Sequence, residues 1–581
     1  MRTKHILTSL LFAGAVFGQT ATLSSDLQGI DPGSNVKVIV TYNHSPNSAD
    51  HEKVLSRGGT YFNTLHSVPA GSYSMPASGL ASLATDPGVA HISLDHPIAP
   101  KLDYVTAATN LVSLSGAISA AQKYNVTGAG IGVAVIDSGV APLADFAGSI
   151  VYSQDFTGGN NQDQYGHGTH VAGIIAGSGS SAQCSTCTRS LGGMAPNANI
   201  ISLRVLDQFG VSSDSVVISA IDAAISLKSK YNIRVINLSL GRPITESYTV
   251  DPLCQAVEAA WKAGIVVVVA AGNDGRINAF NNFGYGTINA PGNDPYVITV
   301  GAMKTMETYT RTDDLMASYS SKGPSLLDNI AKPDLVAPGN LVVSDLASPT
   351  STLALLLPQN LITTNYYNSK GSSTQKSSAY WMLSGTSMAA GVVSGAVADL
   401  LQAQPNLNPD QVKARLMKTA YKVFPSYSVA VDPTTGISYV DYYDALTRGA
   451  GYLDILAALQ SNDVATGSAL SPVVKVNSSG NQDYFQFNSS SVWASSGSNG
   501  LFNPLVVWGS TAIGSGNVVV TSSSAVSAVT ATSAAWGSSS AWGTSSAWGT
   551  SAVWGTSAVW GTSAAWATSA AWATATMIGE Q

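Results

Sequence analysis

The stretch GHGTHVAG, residues 166–173, holds two of the chain's eight histidines, three residues apart. Such a pair either holds a metal or supplies an imidazole that moves protons. The metal reading fits poorly. A zinc-peptidase helix spaces its histidines four apart around a Glu, whereas Gly168 and Thr169 lie between His167 and His170. A zinc site also needs a third protein ligand, and none stands nearby. Proton transfer needs a carboxylate to orient the imidazole and a nucleophile for it to deprotonate. Asp137 ends the apolar run IGVAVID, and Ser387 stands in SGTSMAAGVV, where loop residues give way to a helix-like run. A helix start offers N–H groups and a positive dipole end to that hydroxyl.

The elements that carry these residues repeat a pattern. IGVAVIDSG (131–139), ANIISLRVLD (198–207), IRVINLSLG (233–241) and IVVVVAAGN (265–273) are continuous apolar runs. Helical spacing of apolar residues separates them, as in DSVVISAIDAAISLKSKY (214–231) and at 252–263. Buried strands alternating with amphipathic helices predict an α/β fold, a parallel sheet with helices on both faces. Sites in such sheets gather at the C-terminal ends of the strands. Asp137, Ser239 and Asn273 each follow an apolar strand. In NPDQVKARLMKTA (408–420), Asn408 is placed as an N-cap and Pro409 at the first helical position. GAGYLDILAAL (449–459) closes the α/β region.

Composition bounds the rest. Charged residues are 10% of 581, well below the usual quarter, and net charge is −7 without a basic block. Nucleic acid is thereby excluded as a partner. Three cysteines exclude a disulfide framework. Arg2, Lys4 and His5 precede the apolar run 6–17, so residues 1–18 read as a secretory signal. About a dozen apolar residues are too few to span a bilayer. Residues 35–98 form a small α+β unit of their own. From 484 to 579 there is no charged residue, and Trp recurs every six residues from 536 to 572. In a strand a period of six puts every Trp on one face, whereas in a helix the row would spiral. Residues 461–581 are expected to be either a β-type array or a low-complexity tail, serving surface attachment or self-association.

Seven motifs occur in one order: VIDSG (135–139), HGTHVAG (167–173), NLSLG (237–241), AAGN (270–273), YSSKGP (319–324), KPDLVAPG (332–339) and GTSMAAG (385–391). Together they resemble the subtilisin-family serine proteases, the subtilases. The resemblance implies a subtilisin-like catalytic domain at 105–460 and hydrolysis of protein or peptide substrates through an acyl-enzyme. Ser387 is then the nucleophile, His167 the general base, Asp137 the carboxylate that fixes its tautomer, and Asn273 the side-chain donor of the oxyanion hole. Intact residues at all four positions count against a catalytically silent relative. His170 resembles a structural, hydrogen-bonded neighbour on the same helix.

The resemblance further implies that Ser239, Leu240 and Gly241 pair with the substrate backbone. Ala270, Ala271 and Gly272 would wall the pocket for the residue before the scissile bond. Their small size suggests a wide, uncharged pocket for large apolar side chains. Residues 35–98 resemble the family's inhibitory propeptide, cut off by the enzyme itself near residues 100–105. No organic cofactor is implied. Many relatives bind calcium in the loop after the histidine helix. Here that loop reads GSSAQCSTCTRSLGG without a carboxylate, and Asp145 alone cannot supply six to eight oxygens. Structural calcium thus remains open, with no identifiable site. Cys184 and Cys187 in this loop can form a small disulfide in an oxidising setting. Cys254 reads as a small buried apolar residue. Residues 340–383 are longer than the minimal family core.

Overall fold

The computed structural model describes residues 22–24, 27, 30–95, 97–98, 124 and 126–520, except 190, 278–282, 307–310, 433–435, 477–482, 489, 494–500, 509–511 and 514–516. The signal-like segment 1–18 and the Trp repeat at 536–572 lie outside the described residues. The chain divides into two compact units, residues 1–64 with 69–94, and residues 65–68 with 95–581.

The smaller unit contains strands β1 (Asn35–Tyr42), β2 (Thr60–Leu65), β3 (Ala70–Pro76) and β4 (Val89–Leu94), with helix α1 (Ser48–Leu55). The sheet runs Thr22–Leu23, β4, β1, β3, β2. Alternate β1 residues Val38, Val40 and Tyr42 join Val54 of α1, Tyr73 and Met75 of β3 and Ile92 of β4 in one buried core. This unit therefore has the apolar interior expected of an independent α+β module.

The larger unit is built on seven parallel strands. They are β5 (Gly132–Asp137), β6 (Ile150–Asp155), β7 (Asn199–Arg204), β8 (Ile233–Leu238), β9 (Val266–Ala270), β10 (Ile298–Lys304) and β11 (Leu335–Pro338). Their order is β6–β7–β5–β8–β9–β10–β11. Every neighbouring pair is parallel. The chain passes from β5 to one side of the sheet and returns to the other side at β8. That reversal puts the topological switch point at the end of β5, where Asp137 stands. Residues of β5, β9, β10 and β11 are all buried, which is why these strands read as unbroken apolar runs. The main helices are α2 (His167–Ala176), α3 (Asp214–Tyr231), α4 (Pro252–Lys262), α5 (Thr386–Ala403) and α6 (Pro409–Thr419). Asn408 caps α6 through a reciprocal capping box with Gln411, with Pro409 opening the helix.

The boundary expected at 461 is displaced. The packed chain runs on through at least Trp508. Ala331 donates its N–H to Pro472 O at 2.8 Å, and Arg448 Nη2 donates to Trp508 O at 3.0 Å. Phe485, Trp493 and Trp508 are buried, the two indoles 5.1 Å apart. Strands Val473–Val476, Asp483–Gln486, Ala512–Ile513 and Asn517–Val520 form a small sheet here. The Ser-rich composition of this stretch hides its few anchoring aromatics. No helix among the described residues is long and apolar enough to cross a membrane.

Candidate active site

Asp137 ends β5 and His167 opens α2, and the two meet. His167 Nδ1 lies 2.8 Å from Asp137 Oδ1, with both side chains fully buried. The same carboxylate oxygen accepts the Ser138 N–H at 2.7 Å. A carboxylate only accepts, so Nδ1 carries the imidazole proton and Nε2 presents its lone pair. Nε2 has no hydrogen-bond partner among the described residues. This close approach of helix to strand end requires Gly168, since a Cβ there would stand 2.2 Å from Gly139 O.

Asp163 sets the start of α2. Its carboxyl accepts from Ser138 Oγ (2.8 Å), Gly166 N (2.7 Å), Thr169 N (2.8 Å) and Thr169 Oγ1 (2.6 Å). Burial pushes Asp163 above the ordinary carboxylate range even against these donors. Ser138 Oγ also accepts the Gly168 N–H at 2.8 Å, so the residue after Asp137 helps hold the helix that carries His167. Asp163 was not singled out in the sequence. Its signal is an Asp four residues before the first helical residue, in the turn that leads to the Gly166 cap.

Ser387 stands in the first turn of α5, buried through Leu401. Its Oγ donates to Ser239 O at 3.2 Å, and Ser239 Oγ donates back to Ser387 O at 2.8 Å. Ser239 Oγ in turn accepts from Asn237 Nδ2 at 2.9 Å, and Asn237 Oδ1 accepts from Ser394 Oγ at 2.8 Å. The end of β8 is thus tied to α5 by hydrogen bonds on both sides of Ser387. Asn273 follows β9. Its Oδ1 accepts from Thr386 N (3.0 Å) and Thr386 Oγ1 (2.9 Å). Those two bonds fix the carboxamide, so the NH₂ is turned away from Thr386. Nδ2 is buried without a hydrogen-bond partner among the described residues. Thr386 Oγ1 also accepts the Gly272 N–H at 3.1 Å. The geometry therefore joins Asp137 to His167, and Ser387, Ser239, Asn273 and Gly272 around the start of α5.

Leu240, Ala270 and Ala271 are buried, and Gly241 and Gly272 both face Asn289. The small residues at 270–272 read in sequence as walls of an open, uncharged pocket. In the structure a carboxamide occupies the space in front of Gly272, because the segment at 287–290 folds across the end of β9. Residue 289 has no local signal in the sequence, since its neighbours here are reached only through the sheet.

His170 is a core residue. Its Nε2 lies 3.1 Å from Val342 O, and Trp381 stands edge-on at 6.0 Å. Burial pushes its imidazole down to about 3. Among the described residues no group of three or more His, Cys, Asp or Glu side chains is placed to hold a metal. Asp145 is met by hydrogen-bond donors: Ser180 Oγ (2.7 Å), Ser181 N (2.8 Å), Ser181 Oγ (2.7 Å) and Tyr380 Oη (2.5 Å). Calcium asks for six to eight oxygen lone pairs, and this donor set does not fit it. Cys184 and Cys187 form a disulfide, with Cα atoms 4.9 Å apart. Their loop is held to the segment at 367–369 through Thr188 N to Tyr367 O (2.8 Å) and Ser369 N to Thr186 O (2.9 Å). Cys254 is buried, its Sγ 3.4 Å from Asn293 Oδ1.

The peptidase S8 profile, which describes the subtilase family, matches residues 128–452. Serine protease AprX of Bacillus subtilis is 34% identical over 357 residues, covering 59% of this chain and 72% of that protein. Subtilisin E of Bacillus subtilis is 31% identical over 430 residues, covering 72% of this chain and 94% of that protein. The crystal structure of fervidolysin from Fervidobacterium pennivorans, described as a keratinolytic enzyme related to subtilisin, aligns with a TM-score of 0.57 and 22% identity. That alignment covers 78% of this chain and 64% of fervidolysin, and it concerns the fold alone. Matched by the family profile along more than half its length, the chain belongs to the subtilase family and is a serine endopeptidase.

Proposed function

We propose that the protein is a secreted endopeptidase, made as a preproprotein that processes itself, with Asp137, His167 and Ser387 as its triad. The observation that carries this reading is a pair of buried polar atoms without a hydrogen-bond partner among the described residues, His167 Nε2 on the imidazole held by Asp137 at the end of β5 and Asn273 Nδ2 beside the start of α5. Leaving such atoms unpaired costs about 1–3 kcal/mol each. A folded chain tolerates that cost where a ligand or transition state fills the gap.

In this mechanism His167 Nε2 takes the Ser387 proton as Oγ attacks the scissile carbonyl. Asp137 holds the imidazole in the required tautomer and stabilises the imidazolium that forms. Asn273 Nδ2 and the Ser387 N–H receive the negative charge that develops on the carbonyl oxygen. His167 then protonates the leaving amine, and water, deprotonated by the same imidazole, releases the acyl group. Ser239, Leu240 and Gly241 present backbone to an extended peptide.

Self-processing is supported within the larger unit. Asp95 accepts the Ser215 N–H at 2.8 Å and also the Ser215 hydroxyl, at the first turn of α3. Pro97–Ile98 pairs antiparallel with Ser212–Ser213. The chain just before the expected cut near 100–105 is thus laid as a strand beside the catalytic domain. The basic and apolar segment at 1–18 supports export. The uncharged stretch with the Trp repeat serves surface attachment or self-association in this reading.

The test is mass analysis of the expressed chain beside its Ser387→Ala variant, each treated with a fluorophosphonate. Wild type is expected to lose its first ~100 residues and take the label at Ser387. The variant should stay long and unlabelled, with kcat down about 10⁶-fold. Two full-length, unlabelled, folded proteins would overturn the proposal.

A further inference from the structure

We infer that the outer face of the hairpin at 427–442 docks extended, uncharged segments of polypeptide substrates outside the catalytic cleft. The inference deepens the proposed reading and rests on it for the role of Asn273.

Strands β12 (Tyr427–Val431) and β13 (Ser438–Tyr442) pair antiparallel and form a sheet of two. Successive residues of a strand alternate between faces. Tyr427, Val429 and Val431 stand opposite Tyr442, Val440 and Ser438, so these six share one face. The other face carries Ala430 and Asp441, both buried. Two ion pairs fasten that inner side to the body. Arg276 Nη1 lies 2.6 Å from Asp432 Oδ2, and Lys322 Nζ lies 2.6 Å from Asp441 Oδ1. The Arg276 guanidinium also lies over the Tyr439 ring at 5.4 Å. The outer side is left to solvent, with Tyr427 57%, Val429 50% and Val431 56% exposed.

Proteins blunt exposed strand edges with charges, prolines or bulges. The β12 sequence YSVAV has no charge and no proline, its register against β13 is unbroken, and β13 is its only neighbouring strand among the described residues. None of the six outer-face residues is charged. An edge of this kind offers main-chain hydrogen bonds and apolar contacts together, which is how an added strand is recognised. The fastened inner side pre-organises it, which lowers the cost of binding. Arg276 stands three residues beyond Asn273. By chain and side-chain lengths Asp432 is within ~25 Å of Asn273, a span that about eight extended residues cover. The size of the face selects among partners. It exposes on the order of 300 Å² of apolar surface, enough for a functional patch and well short of the ~800 Å² per partner of a stable dimer. A partner held so lightly comes and goes, as a substrate chain must.

The experiment compares the matured enzyme with its Val429→Thr, Val431→Thr double variant, which keeps β-branched side chains on the strand. Two rates are measured for each: kcat/KM on β-casein, and the second-order rate of labelling by a small fluorophosphonate that cannot reach the hairpin. The ratio of the first to the second is expected to fall ~10-fold in the variant, through a higher KM on casein. Should the double variant not fold, Val429→Thr alone gives a smaller fall in the same direction. An unchanged ratio in a folded variant overturns this inference and leaves the protease reading intact. So does sedimentation of the Ser387→Ala chain as a dimer that the two Thr substitutions dissolve, which assigns the face to a second copy. Absence of both casein cleavage and labelling in the wild type overturns the two readings together.

Discussion

Two groups of buried residues at opposite edges of the parallel sheet, His167 with Asn273 and Lys413 with Lys332, treat their polar atoms in opposite ways. At the C-terminal edge, His167 Nε2 and Asn273 Nδ2 stand without partners among the described residues. Near the N-terminal ends of β10 and β11, Lys413 Nζ is surrounded by Pro295 O (2.8 Å), Tyr296 O (3.1 Å), Val297 O (2.9 Å), Ser471 Oγ (2.9 Å) and Asp334 Oδ1 (3.1 Å). Lys332 Nζ adds bonds to Val297 O (2.9 Å) and Asp334 Oδ2 (2.7 Å). Burial alone would raise Asp334, yet the two ammonium groups hold it below the ordinary carboxylate range. The imidazole and the carboxamide keep hydrogen-bonding capacity in reserve, and the Lys413 ammonium uses its own up, although Asn293 Nδ2 and Asp294 Oδ2 near it also have no partner among the described residues. On the proposed mechanism, the difference separates atoms kept for a reaction from atoms kept for the fold.

The saturated edge should give the larger loss. Lys413→Met removes the ammonium and leaves three carbonyls, a hydroxyl and half of Asp334 without it. Breaking a buried ion pair from one side costs about 3–5 kcal/mol. Denaturant melts in a Ser387→Ala background, which prevents autolysis, measure it. Turnover per active site in Lys413→Met should stay within about twofold, because the cage lies at the other edge. A stable Lys413→Met, or one with a crippled kcat, would break the comparison.

Asn273→Ala is the converse experiment. Loss of the equivalent donor in a subtilisin costs about 10²–10³ in kcat, or ~2.7–4 kcal/mol of transition-state stabilisation. KM should change little, since in the proposed mechanism the charge that Nδ2 meets exists only in the transition state. The fold loses the two bonds from Thr386 but also sheds a buried orphan donor, so the melting midpoint should move less than in Lys413→Met. A variant that melts early with normal kcat would assign Asn273 to the fold.

Legibility in the sequence follows the same division. Asp137, His167, Asn273 and Ser387 sit in short motifs at strand ends or helix starts, where local residue types already announce a turn, a cap or an acceptor. The β/α alternation was readable because strands buried on both faces must be apolar throughout. Asp163 carried a weaker signal, one acidic residue before a helix. Asn289 carried none, because its neighbours at 241, 272 and 274 are brought in by separate strands. The cage around Lys413 gathers residues from 295 to 471 and cannot be read locally. The packing of 461–508 was masked for a similar reason: Trp493 and Trp508 are buried against residues far upstream, within a stretch whose composition resembles a tail.

Helix α2 repeats the contrast on a smaller scale, with His167 at the catalytic edge and His170 one turn along in the core. His170 Nε2 faces the Val342 carbonyl, so it carries the proton, and Nδ1 makes no hydrogen bond among the described residues. A second proton would bring a charge into the core beside His167, and burial accordingly holds the imidazole down at about 3, against an ordinary value of 6.5. Between these two values the unfolded chain binds a proton that the folded chain refuses. Stability therefore falls as pH drops from about 6.5 toward 3 and flattens below that, at up to about 1.4 kcal/mol per pH unit from this residue. His170→Gln removes the group from both states. The difference between its stability and that of the parent, both in the Ser387→Ala background, should be flat above about pH 6.5 and shift in favour of the variant as the pH is lowered to 4. A difference that stays constant across that range would mean His170 takes its proton in the folded state, and the two histidines of α2 would not differ as their surroundings imply.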